Sequence, residues 1–274
     1  MLGATGKMNT MFLSRRNVIA STLALVATPA FAATPPGLAA YIASPRRSPA
    51  NVKRDKYRHP AALLAFFGLE PTQSVLEIEP GAGYWTEILA PYLRAKGHYT
   101  AAIPSDSPEA QKEQAYFLKK LGGDPRDFSQ VSVIPLTVGQ ALGDAASYDL
   151  VMSCRNLHNW LKAGTAPVIL GAIFTALKPG GIFGIEDHRA GTDVPQDPLA
   201  KSGYVRQDYA QKLIETAGFQ FVESSEIGAN PKDTKNYPDG VWDLPPSLHQ
   251  GAVNRSKYLA IGESDRWTLK FVKP

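Results

Sequence analysis

From Pro60 onward the chain alternates between two rhythms of apolar residues. Short unbroken apolar runs suit strands covered on both faces, and stretches with an apolar residue every three or four positions suit helices with one buried stripe. The pattern predicts strands at Val75 to Ile78, Tyr99 to Ile103, Val131 to Pro135, Leu150 to Cys154 and Ile182 to Glu186. Two more are expected near Phe219 to Ser224 and Trp267 to Val272. Between them fall helical stripes: Leu63, Leu64, Phe66 and Phe67; then Trp85, Ile88 and Leu89; then Phe117, Leu118 and Leu121. Further along come Ile169, Ala172, Ile173, Ala176 and Leu177, and last Ala210, Leu213, Ile214 and Ala217. Ser107 with Pro108 reads as a helix start, and Gly122-Gly123, Lys178-Pro179-Gly180-Gly181 and Gly218 read as helix ends.

Such alternation predicts a mostly parallel sheet with helices on both faces. Ligands of these sheets bind where the strands end, here the loops near Glu79, Ile103, Cys154 and Glu186. The connection at about 227–265, rich in Pro, Gly, Asn and Asp, is too long for an ordinary loop. It reads as a lid or substrate-facing insertion, or else as a disordered excursion. Residues 33–52, with Pro35-Pro36, Pro45 and Pro49, read as a linker or surface arm that adds little to the core, leaving 53–274 as the domain.

Residues 1–32 contain Lys7, Arg15 and Arg16, no acidic residue, an apolar stretch from Val18 to Ala27 and the small-x-small end Ala30-Phe31-Ala32. This is the pattern of an export signal, with an apolar part too short for a permanent anchor. Ser14-Arg15-Arg16-Asn17-Val18-Ile19 resembles the twin-arginine signal, the other reading being an ordinary secretory signal that carries two arginines. The expected location is the periplasm or another exported compartment of a bacterium, with no integral membrane segment once the signal is removed. The leader holds three of the 29 basic residues and none of the 25 acidic ones, so the net charge of +4 falls to +1 without it. That balance argues against a nucleic-acid partner. Cys154 stands alone, so no intramolecular disulfide can form. Arg46, Arg47, Lys53, Arg54, Lys56 and Arg58 read as a solvated face, or as a contact for anionic lipid or polysaccharide of the envelope.

The first strand runs into the glycine turn Glu77-Ile78-Glu79-Pro80-Gly81-Ala82-Gly83-Tyr84, where glycines let a ligand approach the backbone. The spacing is not the G-x-G-x-x-G of dinucleotide-binding turns, so hydride transfer is disfavoured. A P-loop lysine and a Gly-x-Ser-x-Gly elbow are both missing from the sequence. Instead the turn resembles that of class I S-adenosylmethionine methyltransferases, with Glu77 in the acidic place and Gly81 and Gly83 in the second and third glycine places. Tyr148-Asp149-Leu150-Val151-Met152 is similar to that family's fourth strand, and Leu177-Lys178-Pro179-Gly180-Gly181 to the turn before its fifth. Together with the leader, Arg54 to Pro60, Arg155 to Trp160 and Asp187-His188-Arg189 resemble a subgroup of exported, predicted bacterial methyltransferases.

The resemblance implies an α/β, Rossmann-like class I methyltransferase fold, a seven-stranded mostly parallel sheet with helices on both faces. It implies S-adenosylmethionine bound across Glu77, Gly81 and Gly83; Glu79, Tyr84, Arg155 and Asn156 are further candidates for contact with it, and Tyr57 and Arg58 read as a cover for it or as a helix start. Two positions depart from the pattern. Glu79 replaces the first glycine, and the second strand ends Ala101-Ala102-Ile103-Pro104 without the family's acidic residue, for which Asp106 is the substitute within reach.

A sulfonium donor already carries an activated methyl group, so the protein supplies position, dryness and, where needed, a base. His158 and His188, with Asp187, stand on strand-end loops and are the candidate catalytic residues. The alternative roles are a helix cap for His158 and a loop tie for His188. No Cys-x-x-Cys or His-x-x-x-His spacing accompanies these residues, so no metal is expected. Cys154 reads as a small buried hydrophobe. Trp242, Asp243 and Leu244 to Pro246 read as substrate contacts or as pins for the long connection. The expected substrate is a small molecule or envelope component, and the alternative function is an exported ligand-binding or pseudoenzyme domain without turnover.

Overall fold

Val75, Leu76 and Ile78 lie in the middle of a seven-stranded sheet in the computed structural model, which describes residues 1–3 and 33–274. The expected export signal lies outside the described residues. All elements below belong to one unit. It begins with short helices α1 (Leu38–Ile42), α2 (Pro49–Val52), α3 (Asp55–Arg58) and α4 (Pro60–Phe66). There follow β1 (Ser74–Ile78), α5 (Thr86–Leu93), β2 (His98–Pro104), α6 (Pro108–Gly123), α7 (Pro125–Phe128), β3 (Ser132–Leu136), β4 (Tyr148–Cys154), α8 (Leu157–Ala163) and α9 (Ala166–Ala176). The chain ends with β5 (Leu177–His188), α10 (Gln207–Thr216), β6 (Gln220–Ser225), a 3-10 turn at Gly240–Asp243, α11 (Arg255–Ile261) and β7 (Arg266–Val272).

The strand order is β3-β2-β1-β4-β5-β7-β6, with the first five strands parallel and β7 antiparallel to both of its neighbours. The order reverses between β1 and β4, the place where a crevice opens at the carboxyl edge of such sheets. Along each strand successive side chains enter opposite cores. Leu76, Ile78, Val151, Phe183 and Ile185 pack with α8, α9 and α10, while Val75, Ala101, Ile103, Leu150 and Met152 pack with α1, α4, α5 and α6.

Three local expectations are corrected. Residues 33–52 are not a bare linker: α1 puts Leu38, fully buried, into the core beside α4 and α5. The helix expected through Leu177 stops at Ala176, and strand β5 already begins at Leu177, running through the Lys178–Gly181 turn with a register shift against β4. The connection at 227–265 is ordered and carries its own small core of Tyr237, Leu244 and Tyr258. Asp233 ties it down by accepting the Tyr204 hydroxyl at 3.0 Å and the N–H of Asp265 at 2.8 Å.

Candidate active site

The turn after β1 is shaped by three positive-φ residues, Glu79 at 53°, Gly81 at 54° and Gly83 at 76°. Nothing lies within 4 Å of the place a Cβ would take at Gly81, so the turn's outer side is open to a ligand there. At Gly83 the same test meets Lys120 at 3.2 Å and Phe117 at 3.3 Å, because α6 leans on the turn. Lys120 reaches over it to the carbonyl of Ala82 at 2.9 Å and to Glu87.

The two acidic residues of this region face different ways. Glu77 is buried beneath the turn, where its carboxyl accepts the Tyr99 hydroxyl at 2.5 Å and lies beside the Thr86 hydroxyl. It braces the turn from inside. Glu79 accepts the indole N–H of Trp160 at 2.8 Å, and burial raises its pKa to about 7, with Glu113 and Asp106 adding to the rise. Asp106 itself is exposed. Asn156 ties β4 to β1 at the reversal point, donating to the Ile78 carbonyl and to Ser153 Oγ, both at 3.0 Å. Tyr84 turns away from the crevice: its hydroxyl donates to Asp55 at 2.6 Å, and the Arg58 guanidinium lies 4.3 Å from its ring centre. Tyr57 is half-buried and borders a smaller cavity with His59 and Arg266.

Beyond the turn, a cavity of about 390 Å³ lies at the carboxyl ends of β4 and β5. Arg155, His158, His188 and Ser264 line it together with Trp242, Pro245 and Pro246 of the long connection. The alternatives for that segment are thereby joined, since Trp242 faces the cavity while Asp243 and Leu244 are buried and pin it. A larger, shallower groove over Lys232, Thr234 and Lys257 offers no comparable acid–base group.

His158 stands in the first turn of α8, with Nδ1 2.9 Å from Asp187 Oδ1. Asp187 Oδ2 accepts the backbone N–H of His158 at 2.9 Å, and Oδ1 accepts that of His188 at 2.8 Å. A carboxylate so placed fixes the proton on Nδ1 and leaves Nε2 as the basic nitrogen. His158 is therefore no helix cap. His188 donates or accepts with Ser264 Oγ at 2.5 Å, and burial, then the neighbouring His158, pushes its pKa well below the ordinary value, so it stays neutral.

The structure thus brings His158, Asp187 and His188 into one cluster, with ligand-type atoms within 4.8 Å of one another, which sequence spacing did not foretell. Asp187 already takes three N–H groups, so the arrangement reads as an acid–base dyad rather than a ligand set. Cys154 is partly buried against the α5 side, and burial raises its pKa well above the ordinary value, which keeps it a thiol. Lys120, Trp160, Glu263 and Ser264 also border the turn or the cavity and were not among the candidates read from the sequence. Only Trp160 carried a signal, its place in Asn156-Leu157-His158-Asn159-Trp160.

The basic residues of the amino-terminal region are also not a solvated face throughout. Arg47 and Arg58 are buried, the first paired with Asp55 at 2.7 Å and the second near Glu263 at 3.4 Å. Among the described residues no helix is long and apolar enough to cross a membrane.

Residues 52–226 match the family model of a methyltransferase domain. No curated protein matches the chain in sequence. Among solved structures, a SAM-dependent methyltransferase from Aquifex aeolicus is similar with a TM-score of 0.57 and 16% identity, over 83% of this chain and 94% of that one. Phosphoethanolamine N-methyltransferase 2 of Haemonchus contortus, in complex with S-adenosyl-L-methionine, gives 0.55 and 15% over 80% of this chain and 53% of that one. The glycopeptide N-methyltransferase MtfA, complexed with S-adenosylhomocysteine, gives 0.52 and 15% over 80% and 90%. These likenesses show the fold.

Proposed function

The chain belongs to the methyltransferase domain family, and from that premise we propose that it transfers a methyl group from S-adenosylmethionine to a hydroxyl or amine of a small molecule or envelope component. The observation that carries this reading is the Asp187–His158 dyad on the wall of a cavity beside the β1 turn. The residues present suit the cofactor: the turn is open at Gly81, and Glu79 places a carboxyl beside it for a cationic ligand. The cofactor brings a sulfonium-activated methyl group. Gly81 lets it approach the backbone, Gly83 lets α6 close on the turn, Asn156 holds the two strand ends in register, and Asp106 is the acid nearest the end of β2 for its hydroxyls.

In this reading His158 Nε2 takes the proton of the attacking hydroxyl or amine, while Asp187 holds Nδ1–H and supports the positive charge that develops on the ring. His188, neutral and tied to Ser264, closes the cavity wall beside it. Trp242, Pro245 and Pro246 help keep water out.

Export belongs to the same proposal, supported by the basic, apolar and small-residue order of residues 1–32. An exported methyltransferase meets its donor outside the compartment where that donor is made, and a protein exported folded would carry one molecule with it. Glu79 in place of a glycine favours, as a second reading, a ligand-binding domain that does not turn over.

Calorimetric titration of the full chain with S-adenosylmethionine and S-adenosylhomocysteine tests the first reading, followed by release of S-adenosylhomocysteine with envelope extract as the acceptor source. Binding and release together support methyl transfer. Binding without release favours the second reading, and binding of neither compound overturns both. Cell fractionation with an Arg15→Lys, Arg16→Lys variant tests export: a retained precursor supports the twin-arginine route, and an uncleaved wild-type chain in the cytoplasm removes export altogether.

A further inference from the structure

We propose that Arg155 is an anion anchor in this cavity, so that the molecule methylated here carries a carboxylate, phosphate or sulfate group. That this molecule is methylated rests on the function proposed above; the anion site itself does not. Arg155 follows β4 with φ at 66°, a conformation L residues avoid, and its N–H is held by the Glu186 carbonyl at 2.7 Å. That placement sets its side chain in the cavity wall with His158 and His188.

A guanidinium offers five donors in a planar fork. Among the described residues none of those on Arg155 finds an acceptor, it forms no ion pair, and its Nε is sealed from solvent without a partner. Its surroundings add positive charge. Arg54, Arg58 and Arg266 stand close by, and the carboxylates paired with this group are Glu263 and Glu186. Glu263 is shared by Arg54 at 2.5 Å, Arg58 at 3.4 Å and Arg266 at 3.0 Å, while Glu186 faces Arg266 at 3.1 Å. Four guanidiniums therefore face two carboxylates, and Arg54 Nη2 and Arg58 Nη2 are buried without partners as well. Glu113, the other acid on the cavity, is exposed at its rim.

Burial, then the charges of Arg58 and Arg54, lower the Arg155 pKa to about 9, so the group stays charged at neutral pH but in an unfavourable field. Arg155 is half-buried with its Nε sealed and no carboxylate of its own, so its open Nη groups are left to take an anion from the cavity. A planar fork prefers the two oxygens of a carboxylate or a phosphate. The same oxygens could come from the acceptor or from the amino-acid end of the methyl donor.

The test is thermal unfolding of the full chain in inorganic phosphate and in malonate against chloride at equal ionic strength, for wild type, Arg155→Met and Arg155→Lys. Each is measured with and without saturating S-adenosylhomocysteine. The wild-type midpoint is expected to rise by several degrees with the anion. Arg155→Met should lose that rise and begin higher than wild type in chloride, since the unpaired charge is gone, and Arg155→Lys should keep part of it. A rise that persists with S-adenosylhomocysteine bound supports an acceptor anchor. Abolition of the rise by S-adenosylhomocysteine assigns the oxygens to the donor and overturns the acceptor assignment. No rise in wild type, or an unchanged rise in Arg155→Met, overturns the anion site. Failure of S-adenosylhomocysteine to bind, with an Arg155-dependent rise intact, removes the methyl-transfer reading and supports the anchor.

Discussion

Asp187 holds His158 at two points at once, the ring Nδ1 and the backbone N–H, each at 2.9 Å. Because the same carboxylate also takes the His188 N–H, its oxygens cannot rotate without breaking a bond to the backbone. The imidazole is thus oriented by the sheet itself.

Replacement Asp187→Asn puts an amide donor against N–H groups that need an acceptor. Loss of about 1–3 kcal/mol of stability is expected, with a fall of about 10²- to 10⁴-fold in turnover. His158→Gln should lower turnover over the same range while changing stability by about 1 kcal/mol or less, since the backbone bond to Asp187 survives. Urea unfolding and release of S-adenosylhomocysteine report the two effects separately. Full turnover in either variant would remove His158 as the base.

Glu79 makes a pH prediction. Its folded pKa of about 7 lies above the usual 4.5, so the native state binds the proton more tightly than the unfolded chain does. Stability therefore falls as pH rises from about 4.5 to 7 and stays reduced above. Glu79→Gln keeps an acceptor for the Trp160 N–H and removes the charge. It should be more stable than wild type by about 2 kcal/mol at pH 8 and equal to it at pH 4. Glu77, also raised to about 7 by burial, keeps part of the slope in the variant. Equal unfolding midpoints of the two proteins at pH 8 would contradict this.

The two glycines of the turn separate binding from folding. Gly81→Ala meets open space, so only the left-handed backbone penalty of about 1 kcal/mol is expected, with calorimetric affinity for S-adenosylhomocysteine down at least tenfold. Gly83→Ala adds a Cβ against Lys120 and Phe117 and should destabilise more, by about 1–3 kcal/mol. Wild-type affinity in Gly81→Ala would place the cofactor elsewhere.

Arg266 is fully buried between Glu186 and Glu263 and also donates to the Tyr57 carbonyl. Arg266→Met leaves the Glu186 carboxylate without its partner and should cost about 3–5 kcal/mol. Adding Glu186→Gln should recover part of that loss in urea unfolding, and additive losses in the double variant would show that the pair does not interact.

Much of the fold was legible along the chain. Continuous apolar runs located the strands, and Ser107 with Pro108 marked the start of α6, where the Ser107 hydroxyl accepts the Ala110 N–H at 3.1 Å. The limits of α9 and β5 were less legible because Lys178-Pro179-Gly180-Gly181 reads as a stop, whereas pairing of Leu177 with Tyr148 extends the strand back across it. At the site, the residue types were readable but their directions were not. Tyr84 and Glu77 sit in the glycine turn's own sequence yet point to Asp55 and Tyr99.

The sequence by itself determined the apolar core positions of the strands and main helices, and that the chemistry gathers at the loops after the strands, because apolar runs and backbone period are local properties that repeat along the chain. Tertiary structure decided the partners. His158 and Asp187 are 29 residues apart, and Arg58 and Glu263 are 205 apart. They meet because β4 and β5 are neighbours and β7 inserts between β5 and β6. No local period encodes that adjacency, since it depends on how the whole chain crosses over its sheet, and with it come the dyad, the buried arginines and the cavity they share.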